Sequence, residues 1–182
     1  MACTIDATPG GATANSYCTI AEASAYNETH VSGATWAAAS DDAKCRTLQT
    51  ATRLLDNYVT WSGAPTTTTQ ALAWPRIGML EPNYALIDPI NFATIPSTDI
   101  PNNLKKAVAE YARLLLGNDP TAPSETELAG IASLRAGNVE LTFRSPSEAA
   151  ASTSRAVLPS SVMAYIRAWT TTSATSKQLV RT

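Results

Sequence analysis

Apolar residues return at helical spacing in two long stretches of this chain. From Asp41 to about Thr60, Leu48, Ala51, Leu55, Tyr58 and Val59 fall on one face, while Lys44, Arg46, Arg53 and Asp56 lie mostly off it. That pattern predicts a helix burying one stripe. Leu104, Ala107, Val108, Tyr111, Leu114 and Leu115 repeat it more strongly. Thr98 or Asp99 is placed to cap this second helix, Pro101 suits its first turn, where a missing N–H costs nothing, and Gly117-Asn118 supplies its stop. Lys106, Glu110 and Arg113 form a row along it that reads as a solvated face, since a Glu-to-Arg step there is worth roughly 0.2–0.5 kcal/mol. A shorter helix from Ile20 to about Thr29 follows Thr19 and Glu22, the spacing of a capping box, and its apolar face of Ile20, Ala23 and Tyr26 is thin. A helical turn spans Trp36 to Ala39, after which Ser40 offers an N-cap, and Asp41 with Asp42 places negative charge at the positive end of the next helix dipole. The last helix opens at Pro159 and carries Val162, Tyr165, Ile166 and Trp169 on one face.

The remaining segments break this period. Val139, Leu141 and Phe143 alternate with polar residues after Gly137-Asn138, which predicts a small β-hairpin over about 131–144. A hairpin alone is marginal in water, so it needs a helix or a second subunit to pack on. Residues 61–98 form a long irregular loop with Pro65, Pro75, Pro82, Pro89 and Pro96. A loop of that length is usually functional or disordered, and this one holds too many large apolar residues for disorder, so it wraps either its own domain or a neighbouring subunit. Within it stands Trp74-Pro75-Arg76. Proline forces the preceding residue into an extended conformation, the Trp74 ring can bury on the order of 200 Å², and Arg76 is left with a charge for a partner. The fold class expected is mainly α: a helical bundle with a long irregular loop, a small β-hairpin, and an extended C-terminal helix and tail. Residues 1–16 read as a flexible arm, 17–169 as a single domain ending in a helix over 159–169, and 170–182 as a tail that orders on a partner.

Composition narrows the function classes. Of 182 residues 45% are apolar but only 15% are charged, and Ala, Thr and Ser dominate, which suits a surface largely covered by other subunits. The net charge of −2, with no Lys/Arg run, argues against tight nucleic-acid binding by a single copy. Cys3, Cys18 and Cys45 show no CxxC spacing, follow no secretory signal and have only His30 as a companion, so they read as structural cysteines of a protein made in a reducing cytosol. No stretch approaches the roughly 18 apolar residues of a membrane span. Phosphate-binding loops, nucleophile elbows, HExxH and acidic metal clusters are all missing from the sequence, and His30 at a helix end reads as a capping or surface residue. The expectation is a protein without catalytic residues, metal or cofactor.

Taken in order, Ala14-Asn15-Ser16-Tyr17, Thr19-x-x-Glu22-Ala23-x-x-Tyr26, Trp36, Ala51-Thr52-Arg53-Leu54-Leu55-Asp56, Trp61-Ser62-Gly63, Gln70 to Arg76 and Ile100-Pro101 resemble the head-to-tail adaptor (connector) proteins of tailed bacteriophages. Some members of that group are labelled DnaT-like single-stranded-DNA-binding proteins. The match covers about residues 14–116, with Trp-Pro-Arg its most specific part, and the segment from Leu80 to Ile95 is longer than the pattern expects.

The resemblance implies a dodecameric ring in the virion neck, assembled in the bacterial cytoplasm between the portal and the tail terminator or stopper proteins. Genomic DNA would pass through its lumen without specific binding. Trp61, Trp74, Pro75 and Arg76 would anchor the loop at the subunit interface, and Tyr165, Ile166, Trp169, Lys177, Leu179, Val180 and Arg181 would dock the portal. A closed ring has a heterologous interface that would absorb the low-charge surface. The alternative is a single-stranded nucleic-acid-binding protein using Trp61, Trp74 and Tyr84 as stacking platforms beside Arg76.

Overall fold

A computed structural model gives the fold, with residues 2–82, 94–117, 133–136, 139–142 and 157–171 described. It is mainly α, as the periodicity predicts. Helix α1 spans Ile20–Glu28, α2 Gly33–Ala38, α3 Asp41–Tyr58, α4 Asn102–Leu115 and α5 Ser160–Ile166, which runs into a 3₁₀ turn over Arg167–Trp169. The local signals act as read: Thr19 and Glu22 close a reciprocal capping box on α1, and the Ser40 side chain accepts the Ala43 N–H at the start of α3. At α4 they do not. Pro101 is itself the N-cap, without a side-chain cap, and the Thr98 hydroxyl donates to Asp99 rather than to the helix.

Helix α4 lies at the centre of the bundle, packed against α3, α1 and α5. With three helical neighbours its buried surface is wider than a single stripe: Ala109 and Ala112 are covered along with Leu104, Ala107, Val108 and Tyr111, and so are Glu110 and Arg113. Two of the three residues in the row read as a solvated face are therefore internal, and Lys106 alone is exposed. On α3 the stripe of Leu48, Ala51 and Leu55 is fully buried, whereas Tyr58, assigned to it by spacing, is 57% exposed. Tyr58 is the last residue of α3, and the buried position at this end is Val59 beside it.

The first residues, expected as a flexible arm, form a strap along α3. Cys3 is disulfide-bonded to Cys45 and its N–H donates to Asp42 Oδ1. Gln49 Nε2 and Asn15 Nδ2 both donate to Thr4 O, while Asp6 receives the Thr8 N–H and the Thr13 hydroxyl. Cys18 is the free thiol; burial pushes its pKa up to about 12. A thiol reagent is expected to find no reactive group in the native chain, one per chain after denaturation without reductant and three with it, read by absorbance titration. Labelling of native Cys18 would contradict its burial.

The described parts of the long loop wrap their own domain. Ala64–Pro65 and Arg76–Ile77 pair antiparallel as β1 and β2, Leu80 bridges Thr94, and the Thr66 hydroxyl donates to Ser97 O. Gly63 sits at φ +66°, and a Cβ there would collide with the Ile77 carbonyl and the Met79 sulfur, so the corner feeding β1 requires glycine. Residues 118–157 form a second compact unit. Its hairpin pairs Ser133–Ala136 (β3) with Val139–Thr142 (β4), Ser133 opposite Thr142 and Ala136 opposite Val139, within the expected span.

Candidate functional site

Trp74-Pro75-Arg76 lies where the strap, α3, the loop and the turn after α5 converge. Tyr17 and Asp56 hold it: the Tyr17 hydroxyl donates to Asp56 Oδ1 at 2.5 Å, the Ala73 N–H donates to Asp56 Oδ2 at 3.0 Å, and the Trp74 N–H donates to the Tyr17 oxygen at 3.2 Å. Burial raises the Asp56 carboxyl, a rise that the donated hydrogen bonds oppose, and burial beside Asp56 carries the Tyr17 phenol well above its ordinary value. Both residues stand inside motifs quoted above, Ala14 to Tyr17 and Ala51 to Asp56, but their pairing across 39 positions has no local signature.

The Trp74–Pro75 peptide is cis, and the Trp74 ring is 1% exposed. It meets Trp61 edge-on at 5.8 Å and Trp169 at 5.4 Å between ring centroids. Arg76, expected to offer its charge to a partner, is buried. Its Nε donates to Ser62 O at 2.6 Å, and its two terminal nitrogens donate to Ala73 O at 3.0 Å and Gly63 O at 2.8 Å. The fixed guanidinium fork suits three converging carbonyls, and it ties both sides of the β1–β2 ladder together. A tryptophan and an arginine used in this way are closed to a nucleobase or a phosphate. Tyr84, the third proposed platform, lies outside the described residues.

The segment that follows α5 is part of the same cluster. Trp169 Nε1 donates to Leu80 O, Ser62 N–H donates to Trp169 O, and Thr171 donates through both N–H and hydroxyl to Thr60 O. Ile166 is fully buried and Trp169 nearly so, so the portal-docking surface expected of these two is covered by the chain's own core. Lys177, Leu179, Val180 and Arg181 lie outside the described residues. Tyr165, half-buried, joins a polar cluster that ties α5 to α1 and α4. Its hydroxyl is 3.1 Å from that of Tyr26, which donates to Glu110 Oε2 at 3.3 Å; Arg113 donates to Glu110 Oε1 at 2.6 Å; and His30 Nε2 lies 3.5 Å from Glu110 Oε2. His30, read as a cap or surface residue, thus faces a buried carboxylate. Sequence offers one clue to this cluster: Glu110 and Arg113 lie on either side of Tyr111, a member of the apolar stripe of α4.

On the outer side of α3 a groove of about 550 Å³ runs between the helix and Ala71-Leu72. Arg46, Gln49, Thr50, Arg53 and Asn57 line it from the helix, with Thr52 and Asp56 behind them. Arg46 pairs with Asp42 at 2.9 Å; Arg53 and Asn57 have no partner among the described residues. Also among the described residues, no group of acids, histidines and cysteines could hold a metal ion, and no helix is long and apolar enough to cross a membrane.

Compared with known proteins, the chain matches over residues 1–182 the model of a family described as "Putative DnaT-like ssDNA binding protein". No curated protein and no solved structure matches it.

Proposed function

The chain belongs to that DnaT-like family, and we propose that within it this protein is a structural adaptor. It assembles as a ring in the neck of a tailed bacteriophage, between the portal and the tail or stopper proteins, with the genome passing through. The observation that carries the reading is the use made of Trp74, Pro75 and Arg76. This run is the most specific part of the resemblance to adaptors, and its side chains build the interior of the domain instead of a ligand surface. The low charge of the chain supports the same reading, since a conduit must let phosphates slide.

The family's description favours a second reading, single-stranded DNA binding, and the groove on α3 is the surface that suits it. Purified protein mixed with portal rings of its own phage and viewed by electron microscopy separates the two. Rings of this chain stacked on the portal are the expected result. A chain that stays monomeric beside the portal, yet binds an oligothymidylate with steep salt dependence, would reverse the order of the readings. Truncation after Thr171 keeps the hydrogen bonds to Thr60. It is expected to leave the thermal melt nearly unchanged while abolishing portal association through Lys177, Leu179, Val180 and Arg181. Undiminished association would end the docking role of the tail.

A further inference from the structure

We propose that the Cys3–Cys45 bond is a redox latch: a dithiol opens it by attack at Cys3 and frees residues 2–5 of the strap, with Asp6 as the hinge, while the domain stays folded. The two sulfurs belong to residues in different surroundings. Cys45 is fully buried on the stripe of α3 that also carries Leu48 and Leu55, whereas Cys3 is half-buried near the start of the strap. Exchange requires an incoming thiolate to reach one of the two sulfurs, so the attack falls on Cys3. A mixed disulfide forms on Cys3 and the Cys45 thiolate is expelled and takes up a proton. The second thiolate of the reagent then displaces the Cys3 sulfur, which is protonated in turn. Two electrons have passed from the dithiol, now a cyclic disulfide, to the chain.

How far the strap opens depends on what else holds each part of it. No side chain from Ala2 to Ile5 is buried. Besides the disulfide, this arm is tied by exposed hydrogen bonds, from the Cys3 N–H to Asp42 Oδ1 and from Gln49 Nε2 and Asn15 Nδ2 to Thr4 O. Such bonds open readily once a covalent anchor is gone, because water replaces each partner and little apolar surface holds the segment down.

Asp6 is held differently. Its N–H donates to Asn15 Oδ1, its carbonyl receives the Asn15 and Ser16 N–H groups, and its carboxylate receives the Thr8 N–H and the Thr13 hydroxyl. Asn15 leads into Ser16, Tyr17 and Cys18, each 1% exposed. This clip is therefore fixed to the core by a route that does not pass through the disulfide, and the release stops there. Opening turns an anchored arm into a free one that carries the Cys3 thiol.

Nuclear magnetic relaxation of the backbone amides, measured on the full chain in native buffer with and without dithiothreitol, tests the latch. In the oxidised chain the amides of residues 3–5 should show order parameters near the rigid value of about 0.85, and reduction should lower them below about 0.6. Asp6 and residues 48–55 should stay rigid in both states. Maleimide added to the reduced native chain should label Cys3 and leave Cys18 untouched, and oxidised glutathione should restore the rigid arm. Cys3→Ser, which cannot form the bond, should match the reduced wild-type chain at these positions and not respond to the dithiol. A native bond that resists the dithiol would overturn the proposal. So would an arm that stays rigid after reduction, which would mean that hydrogen bonds alone hold it. Loosening of Asp6 or of α3 to the same extent as the arm would make the bond a staple of the whole domain and would also overturn the latch.

Discussion

Replacing Trp74 with alanine is expected to cost about 3–5 kcal/mol of folding stability, the usual cost of deleting a large buried aromatic side chain. The ring is 1% exposed and packed between Trp61 and Trp169, so truncation both removes its own buried area and leaves two neighbouring rings facing a void. The loss also reaches the turn after α5. Trp169 is held by Trp74 on one side and by its hydrogen bond to Leu80 O on the other, so the α5 end should loosen with the loop. Urea unfolding followed by far-ultraviolet circular dichroism measures this without relying on the fluorescence that the substitution removes. A ring-contact role for Trp74 predicts the opposite outcome, a stable monomer that fails to assemble. A loss below about 1 kcal/mol, well under the usual aromatic truncation cost, together with lost assembly would therefore move Trp74 from the core to the subunit interface.

Removing Arg113 is expected to cost a similar amount, about 3–5 kcal/mol, because it strands the Glu110 carboxylate in the bundle interior. Both side chains are less than 10% exposed, and their 2.6 Å contact is the shortest in the cluster. Tyr26 and His30 remain nearby but sit at 3.3 and 3.5 Å, too long to replace a charge-assisted bond. A double-mutant cycle makes the cause visible: Arg113→Met combined with Glu110→Met should cost clearly less than the sum of the single changes, since the pair leaves together. Additive losses would mean that packing, rather than the stranded charge, governs the site. The cluster joins α1, α4 and α5, so the single variants should also release the final helix, which amide exchange over residues 160–169 would register.

Much of the fold was legible because its signals are local. The Thr19/Glu22 box and the Ser40 cap act within one helical turn, and the stripe of Leu48, Ala51 and Leu55 follows from helical spacing alone. The hairpin followed from alternation and a turn pair, and Val162, Ile166 and Trp169 proved to be a buried face. Tyr58 and the Glu110–Arg113 row were misplaced for one reason. Periodicity says which residues share a side of a helix, but not how many neighbours that helix has or where their cover stops. Arg76 was misjudged for another: a charged residue after proline in a loop looks free until the carbonyls of Ser62, Gly63 and Ala73 are seen to converge on it. The Cys3–Cys45 bond, which makes the expected arm a strap, could not be chosen from three cysteines without knowing that the chain start lies along α3.

The sequence by itself determined the helices, their start signals at α1 and α3, the hairpin and the link to the DnaT-like family. Each depends on residues close together in the chain or on an ordered set of motifs. Tertiary structure decided what those residues are for. It took Trp74 and Arg76 out of reach of any ligand, placed Tyr17 against Asp56, and put Arg53 beside an open groove. The physical reason is that burial and hydrogen-bond partnership are properties of surfaces meeting across long chain separations, where neither residue carries a mark of the other.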